Sequence, residues 1–232
     1  MSKTVLIAGA SRGIGLEFAV QYAAEGWQVV AGCRSPEKAK GWMPAEVDLQ
    51  VLDTTDANSI AALAWHLDDE PLDLLVVNAG VLGPDTNSFS APGDAAFDQV
   101  MHTNVLGPMR MIQAFGSNVA RAGGVIAVMS SKMGSIEAAT GRDALAYRCS
   151  KAAANMVTRV AANEYGPQGA TVICLHPGWV RTDMGGPNAM VGVSESVEGL
   201  RKVIADLDPL ILEAGSRKIS VVDGKSVLNG TT

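Results

Sequence analysis

The sequence predicts an α/β fold in which helices cover both faces of a doubly wound, seven-stranded parallel sheet. Short β-branched runs alternate with longer helical patterns along the 232 residues, and such alternation requires crossover connections between parallel strands. Most of the runs are apolar throughout, as expected for strands that are covered on both faces. No linker rich in Pro, Gly or Ser divides the chain, so we expect one domain spanning residues 1–232.

Each element is placed by its local pattern. The seven predicted strands are Thr4–Ala8, Gln28–Gly32, Glu46–Leu52, Leu72–Asn78, Gly124–Ser130, Ala170–His176 and Arg217–Val222. The predicted helices are Ile14–Glu25, Ser59–Leu67, Ala95–Ala122, Leu145–Tyr165 and Ser194–Asp206, and Gly26 is the expected C-cap of the first.

Composition excludes several classes of protein. The apolar fraction is 47% and the net charge is −6, which is typical of a soluble globular protein and argues against a nucleic-acid partner. The three cysteines form no Cys-x-x-Cys pair and the three histidines follow no ligand spacing, so we expect reduced thiols, a cytoplasmic location and no metal site. No run approaches the roughly 18 apolar residues of a membrane span.

A glycine-rich turn follows the first predicted strand and opens the first predicted helix. Its glycines are Gly9, Gly13 and Gly15, in the spacing Gly-x-x-x-Gly-x-Gly. Gly9 permits a sharp turn, Gly13 allows a pyrophosphate to approach the helix N-terminus, and Gly15 allows close packing of helix on sheet. The pattern predicts a dinucleotide-binding loop; the alternative is a tight strand–helix turn without a ligand.

Tyr147 and Lys151 lie four residues apart in a predicted helix, so their side chains share one face. A phenol has a pKa of about 10, and lowering it to about 7 requires roughly 4 kcal/mol. A nearby ammonium and the cationic nicotinamide of a dinucleotide could together supply this. The pair is therefore a candidate general acid/base, although the same pattern also occurs on surface helices.

These motifs together resemble the short-chain dehydrogenase/reductase family over essentially the whole chain. The matching positions are the three loop glycines, Asn78-Ala79-Gly80, Asn104, Tyr147 with Lys151, and Pro177-Gly178. The stretches 147–151 and 177–186 resemble the C-factor-like and sniffer-like carbonyl reductases. The resemblance implies a single-domain Rossmann fold with strand order 3-2-1-4-5-6-7.

The resemblance also implies further catalytic residues. Ser131 is expected to bind the substrate carbonyl oxygen together with the hydroxyl of Tyr147, and Ser135 is the alternative serine. Asn104 is expected to distort its helix and to hold a water near Lys151; the alternative is a buried amide bonded to backbone.

Coenzyme choice depends on charge after the second strand, where a carboxylate would bind a ribose 2′-hydroxyl. Cys33 occupies that place and Arg34 follows it, while Arg12 projects from the glycine loop. Two guanidinium groups suit a 2′-phosphate, which predicts NADP, with NADPH preferred over NADH; the alternative is two solvated arginines. By resemblance, Asp53 binds the adenine amino group, or else forms a turn, and the remaining cofactor contacts are Ser11, Ile14, Asn78, Ala79, Gly80, Pro177, Gly178, Val180 and Thr182.

We therefore expect an NADP-dependent oxidoreductase that transfers hydride between nicotinamide C4 and a carbonyl or secondary alcohol, with Tyr147 as general acid/base. The alternatives are an NAD(P)-binding sensor or signalling protein of the C-factor type without turnover, and a structural domain. A substrate lid with adaptable methionines is expected around residues 182–206. The partners implied are a small-molecule substrate and a second copy of the chain, in a homodimer or homotetramer formed through the long helices.

Overall fold

The computed structural model describes residues 2–68, 70–84 and 88–207, together with the backbone of 220–223 and 226–229. The strands are β1 (Thr4–Ala8), β2 (Gln28–Cys33), β3 (Asp48–Val51), β4 (Leu74–Val77), β5 (Val125–Met129), β6 (Thr171–His176), β7 (Ser220–Asp223) and β8 (Ser226–Asn229). They form a single sheet in the order β3-β2-β1-β4-β5-β6-β7-β8. All neighbouring strands are parallel except β7 and β8, which are antiparallel.

The helices alternate with the strands and cover both faces of the sheet. They are α1 (Gly13–Ala24), α2 (Pro36–Ala39), α3 (Ala57–Leu67), α4 (Asp94–Met101), α5 (Gly107–Ala122), α6 (Leu145–Tyr165) and α7 (Val193–Ala205). A π-helical turn, His102–Leu106, joins α4 to α5, and 3-10 turns occur at Lys132–Gly134 and Gly166–Gln168. Among these helices none is long and apolar enough to cross a membrane.

The core is divided by the sheet because successive strand side chains point to opposite faces. In β1, Leu6 and Ala8 pack in a cluster with side chains of α3, α5 and α6, whereas Val5 and Ile7 pack in a second cluster with α1 and α7. All four of these side chains are fully buried. Most of the strand sequences are therefore apolar because helices cover both faces of the sheet, as the sequence predicted.

The predicted fold class and the order of the first seven strands are confirmed, but two elements were missed. The short helix α2 begins at Pro36, a residue that suits the first helical turn. Strand β8 pairs antiparallel with β7, and the Asp-Gly dipeptide at 223–224 is the sequence signal that would have indicated a hairpin. The predicted strand Arg217–Val222 lies partly outside the described residues.

The predicted helix over Ala95–Ala122 is present, but it is not a regular α-helix throughout. The segment is divided into α4, the π-helical turn and α5. Pro108 lies in the first turn of α5 and has no amide hydrogen to donate to the carbonyl of Asn104, four residues earlier. The regular ladder is therefore interrupted where the resemblance predicted a distortion. Gly26, the predicted C-cap of the first helix, comes one residue after the observed C-cap, Glu25, and has φ +78, the left-handed conformation expected of a glycine just past a helix end.

Candidate active site

A cleft of about 500 Å³ opens at the carboxyl ends of the central strands, the edge at which doubly wound sheets bind ligands. It brings together most of the residues that the sequence predicted. Those lining it are Gly9, Ser11, Arg12, Gly13, Ile14, Arg34, Asp53, Asn78, Ala79, Gly80, Tyr147, Lys151, Pro177 and Thr182. The other predicted residues, Gly15, Asn104, Ser131, Gly178 and Val180, are not among the lining residues.

The glycine loop owes its shape to two close approaches. Gly9 has φ +90, and a Cβ there would lie 2.8 Å from the backbone of Ala79. A Cβ on Gly15 would collide with the carbonyl oxygen of Gly9 and lie 2.7 Å from Nδ2 of Asn78. The Asn78 amide donates a 2.8 Å hydrogen bond to that same carbonyl. Gly15, through its close approach, and Asn78, through its hydrogen bond, therefore fix the position of the Gly9 carbonyl.

The N-terminus of α1 faces the cleft without a side-chain cap. Its N-cap residue, Arg12, makes no capping hydrogen bond, and the first turn contains no acidic residue. Free backbone N–H groups at such a terminus favour an anion, because the helix dipole adds partial positive charge there. This donor set fits a pyrophosphate.

The two arginines expected to meet a 2′-phosphate both line the cleft, but they have acidic neighbours. Arg12 forms an ion pair with Asp183, and both side chains are largely exposed. Burial raises the pKa of Asp53, but hydrogen bonds from Thr55 and the positive charge of Arg34 outweigh it, so the pKa is lowered overall. Asp53 accepts hydrogen bonds from Thr55 N at 2.9 Å and Thr55 Oγ1 at 2.7 Å, which is the turn-forming arrangement.

Tyr147 lies in the first turn of α6 and is 9% exposed. Burial raises the pKa of its phenol, and a hydrogen bond with Ser131 offsets part of that rise. The direction is opposite to the one expected from the sequence. The expected effect combined a close ammonium with the cationic nicotinamide of a bound dinucleotide, whereas in the structure the cost of burying a phenolate is the larger effect.

Lys151 lies one helical turn beyond Tyr147 and is 4% exposed. Its ammonium donates a 2.8 Å hydrogen bond to the carbonyl of Met129 and is 5.5 Å from the centroid of the Tyr147 ring. Burial lowers the pKa of Lys151 to about 8. A lysine with that pKa is largely charged at neutral pH and still able to release a proton.

The two candidate serines differ in position. Ser131 is 8% exposed, contacts Tyr147, and accepts a 3.1 Å hydrogen bond from Met133 N. Ser135 accepts a hydrogen bond from Ala138 N at 3.2 Å, which places its hydroxyl in the loop that follows. The geometry thus pairs Ser131, and not Ser135, with the tyrosine.

Asn104 is 1% exposed and lies inside the π-helical turn. Its side-chain oxygen accepts a 2.9 Å hydrogen bond from Val81 N. Its amide donates to Val81 O at 2.8 Å and to Ser150 Oγ at 2.9 Å. These contacts match the alternative of a buried amide bonded mainly to backbone, and they tie the segment after β4 to α6.

The loop after β6 forms the remaining wall. Val180 pairs with Val191, and the Arg181 guanidinium donates to the carbonyls of Ala189 and Met190 at 3.1 and 3.0 Å. The Trp179 indole donates to Gly185 O at 2.8 Å. The first part of the expected lid is therefore held by hydrogen bonds and by the pairing of Val180 with Val191.

Some cleft residues were missed by sequence reasoning, among them Val81, Thr103, Arg181 and Asp183. For the last two, the available signal was a charged pair flanking Thr182, a few residues after the end of the predicted strand Ala170–His176. Among the described residues, no group of three or more His, Cys, Asp or Glu side chains could hold a metal ion.

Comparison with known proteins agrees with this geometry. The short chain dehydrogenase family model matches residues 3–190. The chain is 40% identical to C-signal of Myxococcus xanthus over 153 residues, which is 64% of this chain and 89% of that protein. The NADPH-bound carbonyl reductase from chicken fatty liver is 33% identical, with a TM-score of 0.84 and 99% of each chain covered.

The carbonyl reductase Sniffer of D. melanogaster has a TM-score of 0.83 over 98% of each chain, and at 24% identity this likeness concerns the fold alone. The predicted resemblance to the C-factor-like and carbonyl reductase relatives is thus confirmed. With the family model covering most of its length, this chain belongs to the short-chain dehydrogenase/reductase family of oxidoreductases.

Proposed function

We propose that this protein is an NADPH-dependent carbonyl reductase in which Tyr147 is the general acid/base. The observation that carries the proposal is the contact between Tyr147 and Ser131, beside the buried ammonium of Lys151. Tyr147 and Lys151 open onto the same cleft as the uncapped N-terminus of α1. A proton donor and an anion-binding loop in one cleft are what dinucleotide-dependent carbonyl reduction requires.

The chain's residues fit a nicotinamide dinucleotide along the cleft. Gly13 and its neighbours in the glycine loop would hold the pyrophosphate, Asp53 would face the adenine, and Thr182 with Pro177 would face the nicotinamide. When bound, this coenzyme supplies the hydride that reduces the carbonyl carbon.

The protein side chains would stabilise the negative charge that develops on the carbonyl oxygen. Tyr147 Oη would donate a proton to that oxygen, and Ser131 Oγ would donate a hydrogen bond to it, an arrangement that stabilises the developing oxyanion. Lys151 Nζ lies close enough to the ring of Tyr147 to stabilise the phenolate that remains. Its lowered pKa, about 8, suits it to return a proton towards the tyrosine near neutral pH.

The raised pKa of Tyr147 favours reduction over alcohol oxidation. Reduction needs the protonated phenol as a donor, and burial keeps the phenol protonated across the neutral range. Oxidation would need the phenolate, the form that burial disfavours.

The decisive experiment measures oxidation of NADPH across a panel of aldehydes and ketones. Tyr147→Phe should lower kcat at least 10²-fold, the low end of general acid catalysis, while coenzyme binding, followed by fluorescence, is retained. Tyr165→Phe is the matched control, because this tyrosine lies at the far end of the same helix. Equal turnover by the wild type and Tyr147→Phe would refute the assigned role.

A preference for NADPH is proposed on the two cleft arginines and on Cys33, which stands where a carboxylate would bind a 2′-hydroxyl. A relative that binds NADPH supports it. Each charge-assisted contact contributes about 1.5–3 kcal/mol, so Arg34→Gln should raise the Kd for NADPH by tenfold or more and leave the Kd for NADH within about twofold. Equal losses for both coenzymes would contradict the assignment.

A coenzyme-binding signalling protein is the second candidate, favoured by the 40% identity to C-signal. On that reading NADPH binds through the glycine loop without turnover of any carbonyl. The panel assay separates the two, because tight binding with no turnover supports signalling and turnover lost in Tyr147→Phe supports the reductase.

We also propose that the protein is cytoplasmic. We further propose that it self-associates through the face formed by α4, α5 and α6. Apolar side chains are exposed there, including Phe97, Met109, Met156 and Val160, the last two at 64% and 59%. An apolar depression of about 220 Å³ adjoins Met109. Light scattering should give a dimer or tetramer, and Met156→Glu should shift it towards the monomer.

A further inference from the structure

Helix α6 carries a third polar side chain on the face that presents Tyr147 and Lys151. Asn155 follows Lys151 by four residues and so lies one turn further along the same face. Its oxygen accepts a 2.5 Å hydrogen bond from Ser130 Oγ, and its amide donates to Gly134 O at 3.4 Å. One carboxamide therefore bonds to chain segments on both sides of Ser131.

The segment between these two bonds also packs directly on α6. Lys151 fixes the end of β5 through the Met129 carbonyl. Ser130 is 2% exposed, and its hydroxyl has Asn155 as its hydrogen-bond acceptor. Gly134 lies directly against the backbone of Lys151, where a Cβ would approach within 2.7 Å. The 3-10 turn Lys132–Gly134, which follows Ser131, is therefore held against α6, the helix that carries Tyr147.

We infer that Asn155 is a positioning residue that holds the Ser131 hydroxyl in hydrogen-bond contact with Tyr147. Ser131 follows Ser130 directly, and its hydroxyl also caps the 3-10 turn through Met133 N. A rotation at Ser130 or a shift of Gly134 would move this hydroxyl away from the phenol. The inference rests on the proposed reductase function and assigns to it a residue outside the cleft lining.

The chain gives a reason for such a clamp. Between Ser131 and Tyr147 lie fifteen residues, 132–146, and only the 3-10 turn and the start of α6 are regular within them. A long irregular connection does not by itself define the distance between its ends. The two hydrogen bonds of Asn155 fix the position of Ser130 and Gly134, and so of Ser131 between them, relative to α6.

Steady-state kinetics of Asn155→Ala test the inference. We expect kcat to fall about tenfold, as when an oriented hydrogen-bond donor is displaced, while KM and the NADPH Kd stay within about twofold. Asn155→Asp keeps an acceptor for Ser130 and loses the donor to Gly134, so it should retain more of kcat than Asn155→Ala. Ser130→Ala combined with Asn155→Ala should cost no more than the larger single loss, because Asn155→Ala already removes the bond that Ser130→Ala removes.

A second readout follows the phenol itself and needs no turnover. The ultraviolet difference titration between the protein and Tyr147→Phe reports ionisation of Tyr147. Its Ser131 hydrogen bond holds the pKa of that phenol below the value that burial alone would produce, so Asn155→Ala should shift the tyrosinate titration to higher pH. The nearest ammonium, Lys151, is unchanged in both proteins.

The outcomes separate this inference from the reductase proposal. A shifted titration supports the positioning role even if no carbonyl is turned over, in which case the reductase proposal alone fails. An unshifted titration in a folded Asn155→Ala protein overturns the positioning role. If that variant does not fold, Asn155→Asp and Ser130→Ala take its place, and unchanged titrations in both would overturn the inference.

Discussion

Replacing Lys151 with methionine should stabilise the folded protein at neutral pH although it removes a residue of the proposed active site. The ammonium is buried, and burial lowers the pKa of Lys151 from 10.5 to about 8. At about 1.4 kcal/mol per pH unit, that difference corresponds to about 3 kcal/mol of destabilisation while the lysine is charged in the folded state. Methionine fills a similar volume without a charge.

The net gain is smaller because Met129 O loses its donor, a loss of about 1 kcal/mol. We therefore expect Lys151→Met to be more stable than the wild type by about 2 kcal/mol at pH 7, or about 4–8 °C in Tm for a chain of this length. Above the folded pKa the unfolded state binds more protons than the folded state, so wild-type stability rises with pH between about 8 and 10.5. The advantage of the variant should shrink by about 2 kcal/mol towards pH 9.5.

Urea unfolding at several pH values, without coenzyme, measures this difference. Lys202→Met is the matched control, since Lys202 is an exposed lysine of α7 and its replacement should give no difference that changes with pH. An advantage of Lys151→Met that stays constant from neutral to alkaline pH, or a variant less stable than the wild type at pH 7, would refute the reasoning. Either result would mean that keeping Lys151 charged in the folded protein does not lower the free energy of unfolding.

Two further predictions concern the cleft. Gly9→Ala would place a side chain on a residue with φ +90 and put its Cβ 2.8 Å from the Ala79 backbone. The strain and overpacking should together lower the free energy of unfolding, measured by urea unfolding, by about 2–5 kcal/mol. An unchanged midpoint would show that the loop relaxes. Asp183→Asn should free Arg12 from its ion pair and lower the Kd for NADPH about two- to fivefold without changing that for NADH, measured by coenzyme fluorescence. Equal changes for both coenzymes would mean that Arg12 does not meet the 2′-phosphate.

Local patterns were sufficient for most of the fold. Apolar strands with helical segments between them predicted a parallel sheet covered on both faces, and the family resemblance implied the order of its strands. The elements that were missed depend on weaker signals. A helix of four residues at Pro36 and a four-residue edge strand at Ser226 are too short for periodicity to indicate, and the break at Asn104 needed attention to the proline four residues later.

The candidate site divides in the same way. Gly9, Gly13 and Gly15 lie at one strand–helix junction, and Tyr147 and Lys151 lie in one helix, so their spacing in the chain was enough to predict that the members of each set lie together. Arg12 and Asp183 are 171 residues apart, and no spacing rule relates them. The same holds for Asn155 and Ser130, whose hydrogen bond forms because α6 packs against the 3-10 turn that follows β5.

The sequence by itself determined the glycine turn, the tyrosine–lysine pair and the doubly covered sheet that places both motifs at one edge. Tertiary structure alone decided how charged those groups are, because a pKa depends on burial and on neighbours from distant segments. The sequence argument expected Lys151 and a bound cationic nicotinamide to lower the pKa of Tyr147, whereas in the structure burial raises the pKa of Tyr147 and lowers that of Lys151. Residue spacing specifies which groups meet, while the packing around them sets the free energy of each protonation state.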